Sequence, residues 1–380
     1  MNGQGTDGSY GPWNPGLESQ IPREYLPLST MFREENVSTG IDEANELSDF
    51  CGLKPNEVVA FRAERLIVHE LLIRVTADLS VPDGPNYEEL GINLRGMAAR
   101  ILETHITPEI DALKERHEQL RREAAELIGR ELAEYLDPKP RPAAAPEAKP
   151  SLLRRLFGGS DAKRKPVTRK PDTARRIDPV GDWRSRSEAS GDLFQKACLD
   201  ALARVAGAIT SHRGRLLGDR DTITGLAVNL VGNGYGSKAL GEAIEPLIRQ
   251  AADAENYKFL QVQDKPVVMN VKGASAAGKS TIRPQQRQLA GKLGIPWDDF
   301  ALISPDYWRK FLLDYDALGD AYKYAAMLTG HELEIIDKKL DRYMADKAAR
   351  GAISHLLIDR FRFDSFTVES GRDVNSPLLT

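Results

Sequence analysis

Apolar residues recur at steps of three and four from Ile41 to Ala77, where Val58-Val59-Ala60-Phe61 leads into Leu66-Ile67-Val68 and Leu71-Leu72, and this spacing predicts helix. A turn at Pro82-Asp83-Gly84-Pro85 separates it from a second helical stretch, Tyr87 to His105. Thr107 followed by Pro108 predicts an N-cap with proline in the first helical position. The helix begun there carries Ile110, Leu113, His117, Leu120, Ala124 and Leu127 at alternating steps of three and four, a coiled-coil-like seam. Its other face is rich in Lys, Arg and Glu, so residues 107–136 are expected to pack as an antiparallel hairpin, against a partner helix or in a self-associated dimer. His117 on the seam reads as a satisfied core histidine, with a switch or ligand role as the alternative.

The pattern then stops. Residues 138–178 hold seven prolines and twelve Lys or Arg against four acids, which predicts an extended basic linker running to about residue 190. Within it, Leu152-Leu153-Arg154-Arg155-Leu156-Phe157 reads as solvated linker or as a small basic amphipathic patch for an anionic surface. Helical periodicity returns from Asp192 to Glu255, interrupted at Gly232-Asn233-Gly234-Tyr235-Gly236-Ser237, a cluster that reads as a helix-to-helix turn.

Three short apolar segments follow: Val267 to Val271, Phe300 to Ser304 and His355 to Ile358, separated by helical stretches. That alternation predicts β-α-β-α-β with parallel strands and right-handed crossovers, whose ligands sit at the carboxyl ends of the strands. Directly after the first segment comes Gly273-Ala274-Ser275-Ala276-Ala277-Gly278-Lys279-Ser280-Thr281, a complete G-x-x-x-x-G-K-[ST] phosphate loop. Its glycines let backbone N–H groups face phosphate oxygens, and the helix after it adds its positive end. Lys279 is expected to reach the β- and γ-phosphates of ATP and Ser280 to ligand Mg2+. Pro284, five residues past Lys279, is expected to kink the following helix.

Beyond the second segment lies Ser304-Pro305-Asp306-Tyr307-Trp308-Arg309-Lys310, and Asp359-Arg360-Phe361-Arg362 follows the third. Asp306 is the candidate base for an incoming hydroxyl and Asp359 the candidate metal-site acid, although either could cap a following helix. From Val267 to Asp359 the chain resembles the zeta-toxin group of P-loop kinases, which includes chloramphenicol phosphotransferase-like enzymes. The resemblance implies a base at Asp306, an acid at Asp359 and a substrate-facing acid at Glu332, in Thr329-Gly330-His331-Glu332. Arg360-Phe361-Arg362 stands where that group usually has Gly-Thr, so the sugar-nucleotide substrate of its best-known members does not carry over. Arg360 and Arg362 are candidates for part of the charge neutralisation that an arginine-bearing lid supplies in that group. Only 99 residues follow Thr281, too few for the strands and lid of a complete kinase core, so the expectation is a fragment of a longer protein or a degraded copy.

The predicted fold class is therefore an α/β P-loop NTPase or kinase domain at 259–380 with an incomplete parallel sheet. It is preceded by a disordered stretch at 1–40, a helical domain at 41–137, the linker at 138–190 and a helical segment at 191–258. The helical segment is expected to dock on the nucleotide domain. A net charge of −4 over 380 residues gives no global reason to expect nucleic acid. Two cysteines without metal-ligand spacing, no signal peptide and no apolar run of 18 residues point to a cytoplasmic protein without a transmembrane segment. The expected activity is transfer of the ATP γ-phosphate to a hydroxyl of an acceptor whose identity no motif reveals. A nucleotide-gated switch or NTPase is the first alternative, and an interaction protein with a vestigial phosphate loop the second.

Overall fold

The computed structural model describes residues 21–136, 178–271 and 282–359. The phosphate-loop motif Gly273–Thr281, Arg360 and Arg362, the basic linker with its Leu152–Phe157 patch, and both chain ends lie outside those residues. In chain order the helices are α1 Ile41–Cys51, α2 Pro55–Val58, α3 Ala63–Asp78, α4 Tyr87–Ile101, α5 Ile110–Leu136, α6 Pro179–Ala189, α7 Leu193–Arg213, α8 Arg220–Val231 and α9 Ser237–Glu255. Then follow strand β1 Val268–Val271, helix α10 Arg283–Lys292, strand β2 Phe300–Ile303, helices α11 Arg309–Leu312, α12 Ala325–Leu328 and α13 Gly330–Ala349, and strand β3 His355–Asp359.

The described chain is thus mostly helical with one small parallel sheet, compatible with an α/β fold. It divides into two compact units, residues 1–122 with 229–380, and residues 123–228. The helices from 41 to 122 and from 229 to 255 therefore share a unit with the sheet.

In that first unit α3 is buried along nearly its whole length and packs against α4, α9, α13 and β2. Its long apolar run supplies most of this burial, but Arg65, His69, Glu70, Arg74 and Thr76 are buried with it and need partners. The sheet order is β1-β3-β2, all parallel. Every residue of β2 and β3 is buried, as expected for parallel strands covered on both faces.

Several local expectations are corrected. The stretch Ile41–Ala77 is three helices, because Gly52 turns the chain with φ of 77° and Pro55 restarts it. Thr107 caps nothing: the path from α4 to α5 is continuous, through a π-turn at Leu102–Ile106 and a 3-10 turn at Thr107–Glu109. Thr107 has helical φ/ψ and its hydroxyl donates back to the Leu102 carbonyl at 2.8 Å. Pro108 brings no N–H, and the widened turn before it carries the helix past the proline.

Gly232–Gly236 is likewise a π-turn within a continuous helical path from α8 to α9. Its glycines serve approach. A Cβ on Gly236 would stand 3.0 Å from His117 Nε2, and one on Gly232 would stand 2.8 Å from the Arg121 guanidinium. His117 is buried against the Gly232 carbonyl at 3.4 Å, and burial lowers its pKa.

Whether a helix runs into Pro284 from the phosphate-loop motif lies outside the described residues. Pro284 lies in the first turn of α10, where its missing N–H costs no helical hydrogen bond.

Residues 21–40, assigned by composition to an irregular terminus, contain a 3-10 turn at Arg23–Leu28 and a buried stretch at Ser29–Met31. Ile21, Tyr25 and Leu28 pack on the cluster of Leu313, Tyr315, Leu318, Tyr324 and Leu328, and the Thr30 N–H donates to the Leu328 carbonyl at 3.0 Å.

The second unit is helical, built from the end of α5 with α6, α7 and most of α8. Helix α6 falls where composition placed linker; Trp183 anchors it, 2% exposed, with its ring edge-on to Tyr135. Arg186 makes two 2.6 Å contacts with Glu131, and Asp192 caps α7 by accepting the N–H of Phe194 at 2.8 Å. Along α5 the buried line runs through Ala124, Ile128 and Leu132, not Leu127, since a 3.6-residue period drifts off a heptad. No helix among the described residues is long and apolar enough to cross a membrane.

Candidate functional site at the strand ends

The carboxyl ends of the strands gather the candidate chemistry. In the pairing of β1 with β3, Val271 is the register partner of Asp359, so the buried acid ends the central strand beside the residue from which the chain enters the phosphate-loop motif. In the pairing of β2 with β3, Ile303 is the partner of Ile358. Asp306 follows β2 by three residues and Asp359 is the last residue of β3, so both acids lie at the same end of two adjacent strands.

Their environments differ. Asp306, on the 3-10 turn Pro305–Trp308, is exposed and accepts from Arg309 Nε at 2.9 Å. The same guanidinium donates to the Ala326 carbonyl at 2.6 Å and to Thr329 Oγ1 at 2.9 Å, tying the acid to the turn before α13. Trp308, fully buried, donates its indole N–H to Thr76 on α3 at 3.1 Å and fixes the turn from below.

Asp359 is 7% exposed and lies 3.7 Å from Arg283 at the start of α10. Arg283 is 3.3 Å from Asp83, in the loop between α3 and α4. Asp83 also receives Arg287 at 2.9 Å and the Trp297 indole N–H at 3.2 Å. Arg287 donates to the carbonyls of Asp83 and Gly84 as well, and stacks over Trp297 at 5.4 Å. A loop of the helical region thus clamps the helix that follows the phosphate-loop motif.

Glu332 is elsewhere. Its side chain is fully buried, and its two oxygens accept Arg65 Nε at 2.5 Å and Nη2 at 2.7 Å. His69 Nε2 lies 2.7 Å from Glu332 Oε1, and His69 Nδ1 lies 3.2 Å from Lys339 Nζ. Since an ammonium only donates, Nδ1 accepts and the proton sits on Nε2, facing the carboxylate. Lys339 donates to Ser237 at 2.7 Å, Ser237 to Glu70 at 2.6 Å, and Arg74 to Glu70 at 2.6 Å. Burial would raise the Glu332 pKa, but Arg65 and His69 hold it below the usual carboxylate range. Burial, helped by Lys339, lowers His69 to about 4, and burial lowers Lys339 to about 8 against the pull of Glu70. This network joins α3, α9 and α13, and its Glu332 has no open face for an acceptor.

Among the described residues no group of three or more His, Cys, Asp or Glu side chains could hold a metal ion by itself. A single carboxylate such as Asp359 suits magnesium that arrives with nucleotide phosphates, a mode needing only one or two protein carboxylates. The residue pattern marks Asp306, Asp359 and Glu332, whereas Asp83, Arg283, Arg287 and Arg309 join the site only through the fold. The i,i+4 arginines just past the motif were a legible signal; their partner Asp83, some 200 residues upstream in sequence, was not. Comparison of the chain with protein-family models, with curated proteins and with solved structures gives no match.

Proposed function

We infer that the chain is an ATP- and magnesium-dependent phosphotransferase of the zeta-toxin-like kind, moving the γ-phosphoryl group to an acceptor hydroxyl. The observation that carries this reading is the register of Val271 with Asp359. It brings a buried acid to the end of the strand beside the one that leads into Gly273–Thr281, where a P-loop protein needs a metal-site carboxylate. The exposure of Asp306 beyond the adjacent strand supports its part as base.

In this reading the backbone of Gly273–Thr281 and Lys279 would bind the phosphates, and Ser280 and Asp359 would hold magnesium, which would supply neutralisation of phosphate charge. The Asp306 carboxylate takes the proton of the acceptor hydroxyl. The acceptor oxygen bonds to the γ-phosphorus as the bond from that phosphorus to the β,γ-bridging oxygen breaks, releasing ADP. Arg360 and Arg362 follow the acid and remain candidates for neutralising the transferring group. Glu332, satisfied within its buried network, is assigned to structure in preference to substrate binding.

The test is ATP binding by the full chain in magnesium, compared with Lys279→Ala, followed by transfer of labelled γ-phosphate to a panel of small hydroxyl acceptors. Lys279→Ala should lose binding; equal binding by both proteins would remove the phosphate-loop assignment. A nucleotide-gated switch is the second reading, favoured by the Asp83 clamp between the α3–α4 loop and α10. ATP hydrolysis without transfer to any acceptor would select it.

A further inference from the structure

We propose that Arg283 is an internal counter-ion that competes with nucleotide-borne magnesium for Asp359, and that Asp83 sets the balance by drawing the guanidinium away. This rests on the assignment of Asp359 to the metal site and adds a control of that site from the helical region.

Three observations carry it. First, Asp359 and Arg283 are both at least nine-tenths buried, so the attraction between their charges is poorly screened by water. Second, one guanidinium lies between two carboxylates at unequal distances, 3.3 Å from Asp83 and 3.7 Å from Asp359. Third, Asp83 is itself held: its side chain is 2% exposed, accepts the Trp297 indole N–H and pairs with Arg287 at 2.9 Å. Asp83 therefore cannot follow Arg283 toward Asp359, whereas the Arg283 guanidinium can shift between the two carboxylates.

A divalent cation placed on Asp359 would meet the Arg283 positive charge at close range, and like charges at such spacing in a buried site repel strongly. Magnesium then gains its place only as Arg283 moves onto Asp83. Arg283 is in this sense a positioning residue. It offsets part of the charge of a buried carboxylate before nucleotide arrives and weakens metal binding until the guanidinium is taken up by the α3–α4 loop.

The experiment compares ATP affinity in EDTA with ATP affinity in excess magnesium, for the full chain and for Arg283→Gln, Asp83→Asn and the double variant. The ratio of the two affinities measures how strongly metal and nucleotide help each other. Arg283→Gln should raise that ratio at least about fivefold, the low end of ordinary coupling between sites, and Asp83→Asn should lower it. The double variant should show the raised ratio of Arg283→Gln, which keeps the test decisive if Asp83→Asn alone misfolds.

A ratio unchanged or lowered by Arg283→Gln, single and double, overturns the counter-ion role while leaving the nucleotide reading standing. Should none of the proteins bind ATP above the Lys279→Ala baseline, both fall together.

Discussion

Glu332 takes both ends of the Arg65 guanidinium, Nε at 2.5 Å and Nη2 at 2.7 Å, with neither side chain open to solvent to any extent that water could replace the pair. A bidentate pair of this kind is costly to break from one side, since the remaining charge is stranded. Glu332→Ala should lower unfolding free energy by about 3–5 kcal/mol, read from urea midpoints, while Arg65→Met with Glu332→Leu should recover much of the loss. If Glu332→Ala leaves stability intact and changes only acceptor binding, the assignment to structure is wrong.

His69 makes the same network sensitive to acid. Burial, with Lys339 adding to it, lowers the imidazole from 6.5 to about 4. Between those values the unfolded chain holds a proton that the folded chain refuses, so the unfolded state binds more protons and stability falls as pH drops. Glu332, held low by Arg65 and His69 despite its burial, acts in the same direction below 4.5, where the unfolded carboxyl takes a proton first. Urea midpoints measured from pH 7 to 4 should decline, and His69→Gln should flatten the part between 6.5 and 4. Identical slopes for the two proteins would remove His69 from the account.

Gly241 on α9 should behave against helix propensity. Alanine normally exceeds glycine in a helix by about 1 kcal/mol, and Gly96 in α4, with nothing within 4 Å of a built Cβ, should follow that rule. At Gly241 the Cβ would stand 2.3 Å from Glu70 Oε2 and 2.4 Å from Arg74 Nη2. Gly96→Ala is therefore expected to stabilise by up to about 1 kcal/mol, and Gly241→Ala to destabilise by about 1–3 kcal/mol through displacement of the ion pair. Thermal midpoints moving in the same direction for both would show that α9 can shift away from α3 at little cost.

Asp306 and Arg309 should separate binding from chemistry. A base acts in the transition state, so Asp306→Asn should cut phosphoryl transfer by about 10²–10⁴ while ATP affinity stays within a few-fold. Arg309 reaches Asp306, Ala326 and Thr329 together, so Arg309→Met should also lower kcat more than it weakens ATP binding. A large loss of ATP affinity in Asp306→Asn would move that acid to the metal site.

Much of this was local and therefore legible in the chain. The three strands fall on the apolar segments that the sequence pattern marks, and in β2 and β3 the run of aliphatic residues suits a strand covered on both faces. The continuous helices through Pro108 and through Gly232–Gly236 were not legible. Proline and glycine weaken a helix intrinsically; the widened turn before Pro108 lets the helix pass the proline, and the close approach of His117 and Arg121 explains Gly232 and Gly236.

By itself the sequence determined the phosphate-loop motif, the parallel strand segments and the acids that follow them, since each depends on neighbours within a few residues. Only the tertiary structure decided which strand lies in the middle, and so which acid stands beside Val271. It alone joined Asp83 to Arg283 and Arg65 to Glu332, pairs 200 and 267 residues apart. Charges that distant find each other through burial: α3 and the loop after it take polar side chains out of water, and the partners are whichever groups the packing of α9, α10 and α13 brings within reach.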